Sequence, residues 1–303
     1  MIELHPVTLE DKAWIDPLVW AEGSSSADFN FGNIYLWDQS FHQLVGRLDD
    51  RVIVLPCYGE EPFFAWPAGT GDLVPVMAEL ERYAKEHGFP FTLRGVTQEH
   101  LPLLDRLFPG RCEVVPERPL WDYIYSAEKL DTLSGKKLHG KRNHINRFEE
   151  ENDWSFRPLT PADFSDCIRL LDEWNAMSHD ENSEVDADAA DEYTAICRAL
   201  EHYEALGMEG GILRVSGQPV AFTLGEPVCA HTFVVHFEKA HSELNGAYPM
   251  INREFVRYIR KKYPAVQWIN REDDMGMESL RRAKESYHPD HMVEKYKAVI
   301  RDV

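Results

Sequence analysis

The strongest constraint on how this chain folds is an order of predicted elements that occurs once in each half. In the first half it consists of strands at 43–48, 51–58 and 62–68, a helix over 72–87 and a strand at 91–96. In the second half it consists of strands at 211–215, 219–224 and 232–237, a helix over 246–263 and a strand at 266–270. A strand–helix–strand order after a run of hairpins is typical of a mixed sheet with one parallel pair. The sequence therefore predicts an α/β fold built from two similar units.

This repeated order suggests how the chain divides into domains. Residues 1–130 are the expected N-terminal domain, residues 131–153 a basic interdomain segment, and residues 154–303 a C-terminal domain that carries the active site. The boundary is expected between about residues 126 and 154. Ligands of α/β proteins bind near the ends of parallel strands, so we expect the site to follow the strands at 232–237 and 266–270.

An acidic composition restricts the partners of this protein. The chain has 52 Asp and Glu residues against 32 Lys and Arg residues, which gives a formal net charge of −20. Non-specific nucleic-acid binding and docking on an anionic membrane both need a positive surface, so neither is expected as the main activity. A local basic patch is still able to act against this overall sign.

Cysteines, histidines and hydropathy exclude further classes. The five cysteines are widely spaced and form no C-x-x-C pair, so we expect reduced thiols rather than disulfides or a zinc site. His231, His236 and His241 recur every five residues, which places successive members on opposite faces of a strand, and no metal site is expected. The sequence shows no secretory signal and no apolar run of membrane-spanning length. We expect a cytoplasmic protein without integral membrane association.

A basic segment stands out in this acidic chain. Residues 132–148 contain no Asp or Glu and hold five cations: Lys136, Lys137, Lys141, Arg142 and Arg147. Such a cluster is suited to a polyphosphate or an RNA backbone. The alternative is a solvated interdomain helix whose cations pair with the glutamates at 149–151.

The start of the long helix in the second half is a candidate anion site. Asn245 is a good N-cap, Gly246 lets a ligand approach the backbone, and Pro249 is tolerated only in a first turn. Free N–H groups and the helix dipole at such a start suit a phosphate, which would also lie near Ala247. The alternative is an ordinary capped helix with an apolar stripe, on which Asn252 faces away from the core.

Acidic side chains follow the strands that should flank the cleft. Alternation along the strand at 232–237 and just beyond it places Glu238 on the same face as His236. Glu272 and Asp273 follow the next strand, where a carboxylate with a raised pKa is able to hold an amine or act as a base. The alternative for Asp273 or Asp274 is that it caps the next helix.

Several long strings resemble one known family. They are LSGKKLHGKRNHINRF from residue 133, VHFEKAHSELNGAYPMINREF from residue 235, INREDDMGMESLRRAKESYHP from residue 269, VEKYK from residue 293 and FNFGNIYLW from residue 29. Together they resemble the family named after the C-terminal domain of phosphatidylglycerol lysyltransferase. The resemblance implies a tandem pair of acetyltransferase-like (GNAT) domains, here without the membrane region of the lipid-modifying members.

The resemblance also implies a function. The best-known members of the family move an aminoacyl group from a charged tRNA to a lipid, and single domains of the superfamily use acyl-CoA. We therefore expect an acyl- or aminoacyl-transferase with acyl-CoA or aminoacyl-tRNA as donor and a small-molecule, lipid or peptide acceptor. The alternative is a non-catalytic protein of the same fold that binds a nucleotide or acyl-CoA. The sequence leaves the donor, the acceptor and the oligomeric state open.

Site residues are carried over by position. The helix start at 245–247 is expected to hold the donor phosphate, and Lys136, Lys137, Lys141 and Arg142 to meet the donor's polyanion. Glu238, Glu272 and Asp273 are the candidates for base or acceptor binding. Tyr287 is expected to protonate the leaving group or, alternatively, to close the core.

Overall fold

The computed structural model of the protein describes residues 2–57, 61–178 and 183–301. These residues form two compact units. The first contains the described residues up to Asp122, together with Asp273–Glu278 and those from Met292 onward. The second contains the described residues of Tyr123–Glu272 and Ser279–His291. Residue 58, the last of the predicted strand at 51–58, lies outside the described residues.

The helices and strands are numbered in chain order. The helices are α1 (Lys12–Glu22), α2 (Phe31–Leu36), α3 (Asp38–Phe41), α4 (Leu73–His87), α5 (Leu101–Leu107), α6 (Ala127–Thr132), α7 (His139–Glu151), α8 (Phe164–Ser178), α9 (Ser183–Glu201), α10 (Tyr203–Leu206), α11 (Ala247–Lys262) and α12 (Glu278–Glu285). The strands are β1 (His5–Pro6), β2 (Gln43–Leu48), β3 (Arg51–Pro56), β4 (Phe64–Ala65), β5 (Ala68–Gly69), β6 (Thr92–Thr97), β7 (Cys112–Pro116), β8 (Asp122–Ser126), β9 (Trp154–Pro158), β10 (Glu209–Val215), β11 (Gln218–Cys229), β12 (Thr232–Ala240), β13 (Trp268–Asn270), β14 (His291–Val293) and β15 (Lys295–Ile300).

The first unit contains two four-stranded sheets. One has the order β1-β2-β3-β5 and the other the order β4-β6-β15-β7. β4 and β6 are parallel and are joined through α4, so the predicted crossover is present. α4 begins where the Asp72 side chain accepts a hydrogen bond from the Val74 N–H, and it ends at Gly88 in the left-handed conformation. It buries a stripe of apolar residues: Leu73, Val76, Met77, Leu80 and Ala84.

The second unit is built on one large sheet. Within this unit the strand order is β8-β13-β12-β11-β10-β9. β9 to β12 pair antiparallel in sequence, whereas β12 and β13 are parallel and are joined through α11. The two units therefore repeat the same hairpin–helix–strand order, and the predicted α/β fold class is confirmed.

α11 provides much of the core of the second unit. Its buried apolar residues include Met250, Ile251, Phe255 and Ile259, and the Phe255 ring meets the Phe233 ring of β12 edge to face at 5.7 Å. The predicted range of 246–263 differs from the observed helix by one residue at each end. Asn252, which the sequence pattern placed on the outer face, is buried instead.

A β-bulge in β12 changes which residues share a face. Phe237 pairs with Leu224 and Val235 pairs with Gly225, so His236 is an extra residue on β12. The expected strict alternation, with His236 and Glu238 on one face, is wrong for this reason. Phe233 and Glu238 lie five positions apart, yet both contact α11.

The C-terminal strand lies in a different place from the expected one. The sequence predicts one strand at 292–300 within the second half, whereas the structure has β14 and β15 with a break at Glu294. β15 inserts between β6 and β7 of the first unit, because its backbone completes the ladders of both neighbours. The basic segment 131–153 lies within the second unit, where α7 packs against α11.

Candidate active site

Five polar side chains from separate parts of the chain meet in the second unit. They are Lys141 of α7, Glu238 of β12, Asn252 of α11, Arg271 just after β13, and Tyr287 just after α12. We call this group the Lys141 cluster. The parallel pair β12–β13 and its crossover helix α11 supply three of the five residues. The cluster is therefore at the position in the fold where a ligand site was expected.

Glu238 is the only carboxylate of the cluster, and both of its oxygens are engaged. Oε1 accepts a hydrogen bond from Arg271 Nη2 at 2.9 Å, and Oε2 accepts one from Asn252 Nδ2 at 3.0 Å. The Glu238 side chain is 8% exposed and that of Arg271 13%. Such a withdrawn, charge-assisted pair fixes the orientation of the guanidinium. This arrangement fits a positioning carboxylate better than the free base that the sequence suggested.

The Tyr287 ring lies beside two cations. Lys141 Nζ is 4.0 Å from the ring centroid and Arg271 Cζ is 4.7 Å from it. These distances are within the range of cation–π attraction. Burial raises the pKa of Tyr287 above its ordinary value, while the Arg271 charge acts in the opposite direction. The hydroxyl therefore keeps its proton at neutral pH and is available as a proton donor.

Lys141 has no carboxylate partner among the described residues. Burial and, after it, the neighbouring Arg271 charge lower the pKa of Lys141 from 10.5 to about 8, although Glu238 acts in the opposite direction. At neutral pH the amine is still mostly protonated. The cluster therefore contains two cations and one carboxylate.

A second layer of contacts holds the cluster in place. Lys284 of α12 donates a hydrogen bond from Nζ to the Arg271 carbonyl at 2.6 Å. The Tyr125 hydroxyl of β8 donates to the Lys284 carbonyl at 2.7 Å, and its ring lies edge to face with Tyr287. These contacts fix the backbone that presents Arg271 and Tyr287.

Glu272, a predicted catalytic residue, lies in a different constellation. His236 Nδ1 is 2.7 Å from Glu272 Oε1, and its Nε2 is 3.1 Å from Glu226 Oε1. Burial alone lowers the pKa of His236, but hydrogen bonds to Glu226 and Glu272 outweigh it and raise the pKa to about 10. The imidazole is thus a cation held between two carboxylates at neutral pH. Such a paired charge is typical of a group that stabilises the fold.

Asp273 and Asp274 form turns in the first unit. Asp273 Oδ1 accepts a hydrogen bond from the Met275 N–H at 3.0 Å, and Asp274 Oδ1 accepts one from the Gly276 N–H at 2.9 Å. Asp274 also pairs with Arg118 at 3.1 Å. Both hydrogen bonds close turns ahead of α12, which begins at Glu278, so they do not match the helix-capping alternative.

The helix start at 245–247 faces another helix. Gly246 has a φ of +91°, and a Cβ atom on it would lie 2.6 Å from the His144 carbonyl oxygen of α7. Asn245 Oδ1 pairs with His144 Nδ1 at 2.7 Å, and no side chain caps α11 at Gly246. Ala247 is buried, and its N–H donates to the Leu244 carbonyl. The glycine therefore makes room for α7, where the sequence suggested an approaching phosphate.

The other cations of the basic segment are of three kinds. Arg142 donates from Nη1 to the carbonyls of Leu133 and Gly135, so it holds the loop before α7. Lys136 and Lys137 are exposed on that loop. The alternative of pairing with 149–151 applies to Arg147, which pairs with Glu151 at 2.8 Å.

The described residues also form a surface cleft that none of the five cluster residues lines. The cleft has a volume of about 640 Å³ and is lined by residues such as Asp131, Arg257 and Trp268. Across the parts of the chain that the structure describes, no His, Cys, Asp or Glu residues are grouped to hold a metal ion. Within the same parts, every helix is too short or too polar to cross a membrane.

Sequence reasoning missed Arg271 and Asn252. Arg271 stands directly before the predicted acids, in the string INRE. The sequence pattern suggested a catalytic role for those acids and none for the arginine. Asn252 is five residues after Ala247, within a predicted outer face. A buried asparagine on an otherwise apolar helix face indicates a functional site, but the sequence alone did not show that Asn252 lies on the buried face of α11.

The comparisons with known proteins agree with this architecture. The family model described as "Phosphatidylglycerol lysyltransferase, C-terminal" matches residues 22–299. A conserved protein of unknown function from Bacteroides thetaiotaomicron VPI-5482 has a structure with a TM-score of 0.91 and 37% identity, covering 99% of this chain and 100% of that one. The C-terminal domain of a putative lysylphosphatidylglycerol synthetase from Agrobacterium fabrum matches with a TM-score of 0.68 and 14% identity, over 96% of this chain and 91% of that one.

A curated relative matches over part of its length. The uncharacterized protein MYCGA3080 of Mycoplasmoides gallisepticum is 25% identical over 186 residues, which are 58% of this chain and 54% of that protein. The match therefore spans about half of the length of that relative. The structural match at 14% identity shows the fold alone.

Proposed function

This chain belongs to the phosphatidylglycerol lysyltransferase C-terminal family, and from that premise we propose that it transfers an acyl or aminoacyl group to an amine or hydroxyl acceptor. The Lys141 cluster is its active centre. The observation that carries this proposal is the convergence of Lys141, Glu238, Arg271 and Tyr287, which come from four separate segments, into one withdrawn polar group. Polar and charged groups are costly to bury, so a fold that gathers them in one place indicates function.

The chemistry divides among these residues. The acceptor's amine or hydroxyl attacks the carbonyl carbon of the donor, which forms the new C–N or C–O bond and places negative charge on the carbonyl oxygen. Arg271, oriented by Glu238 and Asn252, stabilises that charge. The ester or thioester bond then breaks, and Tyr287 gives its proton to the leaving oxygen or sulfur. The proton lost by the nucleophile restores the tyrosine through solvent.

The surroundings of Gly246 favour aminoacyl-tRNA over acyl-CoA as the donor. A pyrophosphate at the start of α11 needs open backbone N–H groups, but that start lies against α7 and the Ala247 N–H is already engaged. Lys136 and Lys137 are exposed and suit a polyanion that binds from outside. A charged tRNA in the cytoplasm meets these conditions, with a lipid, peptide or small molecule as acceptor.

Turnover with a panel of donors tests the proposal. Arg271→Lys keeps the charge but loses the fork that Glu238 orients, so we expect a drop in kcat of roughly 100-fold or more. Arg47→Lys, at an exposed ion pair of the first unit, is the matched control and keeps full turnover. Binding of donor without turnover by the wild-type protein would favour the non-catalytic alternative.

Salt dependence tests the choice of donor. Lys136→Gln combined with Lys137→Gln should weaken tRNA binding and flatten its dependence on salt, because fewer counterions are released. Arg142 is left intact, since it holds its own loop. Equal affinity and slope in the double variant would remove these lysines from the donor site, and tight binding of acyl-CoA would overturn the preference for tRNA.

A further inference from the structure

The charges of the Lys141 cluster do not balance. Among the described residues of the cluster, Lys141 and Arg271 are cations and Glu238 is the only anion. Both Glu238 oxygens are occupied, by Arg271 and Asn252. Lys141 has neither a carboxylate within ion-pair distance nor a hydrogen bond to any described residue. One positive charge is therefore left over in a partly buried site.

Two buried polar atoms of the cluster also lack hydrogen-bond partners. Arg271 Nη1 and Asn252 Oδ1 are buried and have no hydrogen-bond partner among the described residues. Buried polar atoms without partners, and buried charges without counterions, are costly to keep. Both cations also lie within 5 Å of the centroid of the same Tyr287 ring, where their charges repel each other. An anion placed beside Lys141 and Arg271 would relieve these costs together.

We propose that the Lys141 cluster binds a negatively charged oxygen group of the substrate, a carboxylate or a phosphate. The inference rests on the proposed function, because it names the charge of the substrate at that same site. Lys141 and one N–H of the free Nη1 group of Arg271 hold the anion, and the second N–H of that group remains for the carbonyl oxygen of the donor. Asn252 Oδ1 accepts from a neighbouring donor group of the substrate. A lysyl ammonium would add a third cation here, so the charge of this site differs from what the family's name suggests.

Two sources supply such an anion, and matched probes separate them. Glutarate and its neutral diamide share the same carbon chain and differ in the charge at their ends. Glycerol 3-phosphate differs from glycerol by the charged phosphate group. Cadaverine imitates a lysyl side chain. NMR titration of the full chain at pH 7 and low salt measures the affinity for each probe without any turnover.

The expected result is a preference for one anion over its neutral analogue of at least about tenfold, since charge-assisted hydrogen bonds are roughly twice as strong as neutral ones. Lys141→Met removes that preference, whereas Lys141→Arg keeps it. Lys85→Met, an exposed lysine of α4, leaves it unchanged. The better of glutarate and glycerol 3-phosphate identifies the source of the anion.

Three results would overturn the inference. They are equal binding of the neutral analogues, tighter binding of cadaverine, and an anion preference that survives in Lys141→Met. The transfer assay is independent of these titrations. If anions bind as expected but no donor is turned over, the proposed function fails and the cluster is an anion-binding site without transfer activity. If turnover occurs without any anion preference, only the inference fails.

Discussion

Lys295 in the first unit and Lys141 in the second are both withdrawn from solvent, but their surroundings differ in charge. Lys295 Nζ lies 2.6 Å from Asp28 Oδ1 and 2.8 Å from Asp122 Oδ1. Burial alone would lower the pKa of Lys295, but Asp122 and Asp28 outweigh it and raise the pKa above its ordinary value. For Lys141, burial and Arg271 together lower the pKa to about 8.

The difference distinguishes a lysine whose charge supports the fold from one that we propose binds a ligand. Lys295 stands on β15, the strand that returns to the first unit, and its two partners fix that return. Lys141 is kept charged without a counterion, at a cost to stability. Proteins accept such costs mainly at functional sites. Substitutions at the two positions should therefore have opposite effects on stability.

The largest effect is expected at Lys295. Lys295→Met removes the ammonium that lies 2.8 Å from the fully buried Asp122, and the loss of one partner of a buried pair costs about 3–5 kcal/mol. Denaturant unfolding at pH 7 measures this loss. Lys297→Met is the control, because its pair with Glu61 lies at the surface, and it should change the free energy of unfolding by less than about 1 kcal/mol. A loss of less than about 1 kcal/mol in Lys295→Met would contradict the claim that the charge of Lys295 supports the fold.

The contrast between these lysines is not visible in the sequence. Elements with strong periodicity were predictable, and α11 was bounded to within one residue because its apolar stripe and Pro249 define it. Lys141, Glu238 and Tyr287 were each singled out, but their proximity depends on tertiary packing. The bulge at His236 needs strand register. The sequence shows that a glycine such as Gly246 allows a close approach, but it does not show whether a ligand or a neighbouring helix makes that approach.

A smaller loss of stability is expected on substitution of Glu272. This residue lies in the second unit, but like Lys295 it has a partner of opposite charge, His236. Glu272→Gln weakens the contact with His236 and should lower the free energy of unfolding by about 2 kcal/mol at pH 6. The folded pKa of His236, about 10, is above its unfolded value of 6.5. The stabilisation is therefore complete below pH 6.5 and is lost as the pH rises through 10.

Unfolding of wild type and Glu272→Gln at several pH values checks this expectation. The difference in the free energy of unfolding between the two proteins should become smaller from pH 7 to pH 10. A variant that keeps full stability but loses turnover would instead return Glu272 to the catalytic role that its position after β13 first suggested.

The most direct test of the account is Lys141→Met, with stability and turnover measured on the same sample at pH 7. Lowering the pKa from 10.5 to about 8 corresponds to a penalty of about 3 kcal/mol, which solvent around this half-buried side chain reduces to about 1 kcal/mol. The penalty is present below pH 8 and disappears as the pH rises towards 10.5. We predict a variant that is more stable than wild type by about 1 kcal/mol and transfers at least roughly tenfold more slowly. A variant that is less stable, or one with unchanged turnover, would contradict the claim that Lys141 is a functional charge.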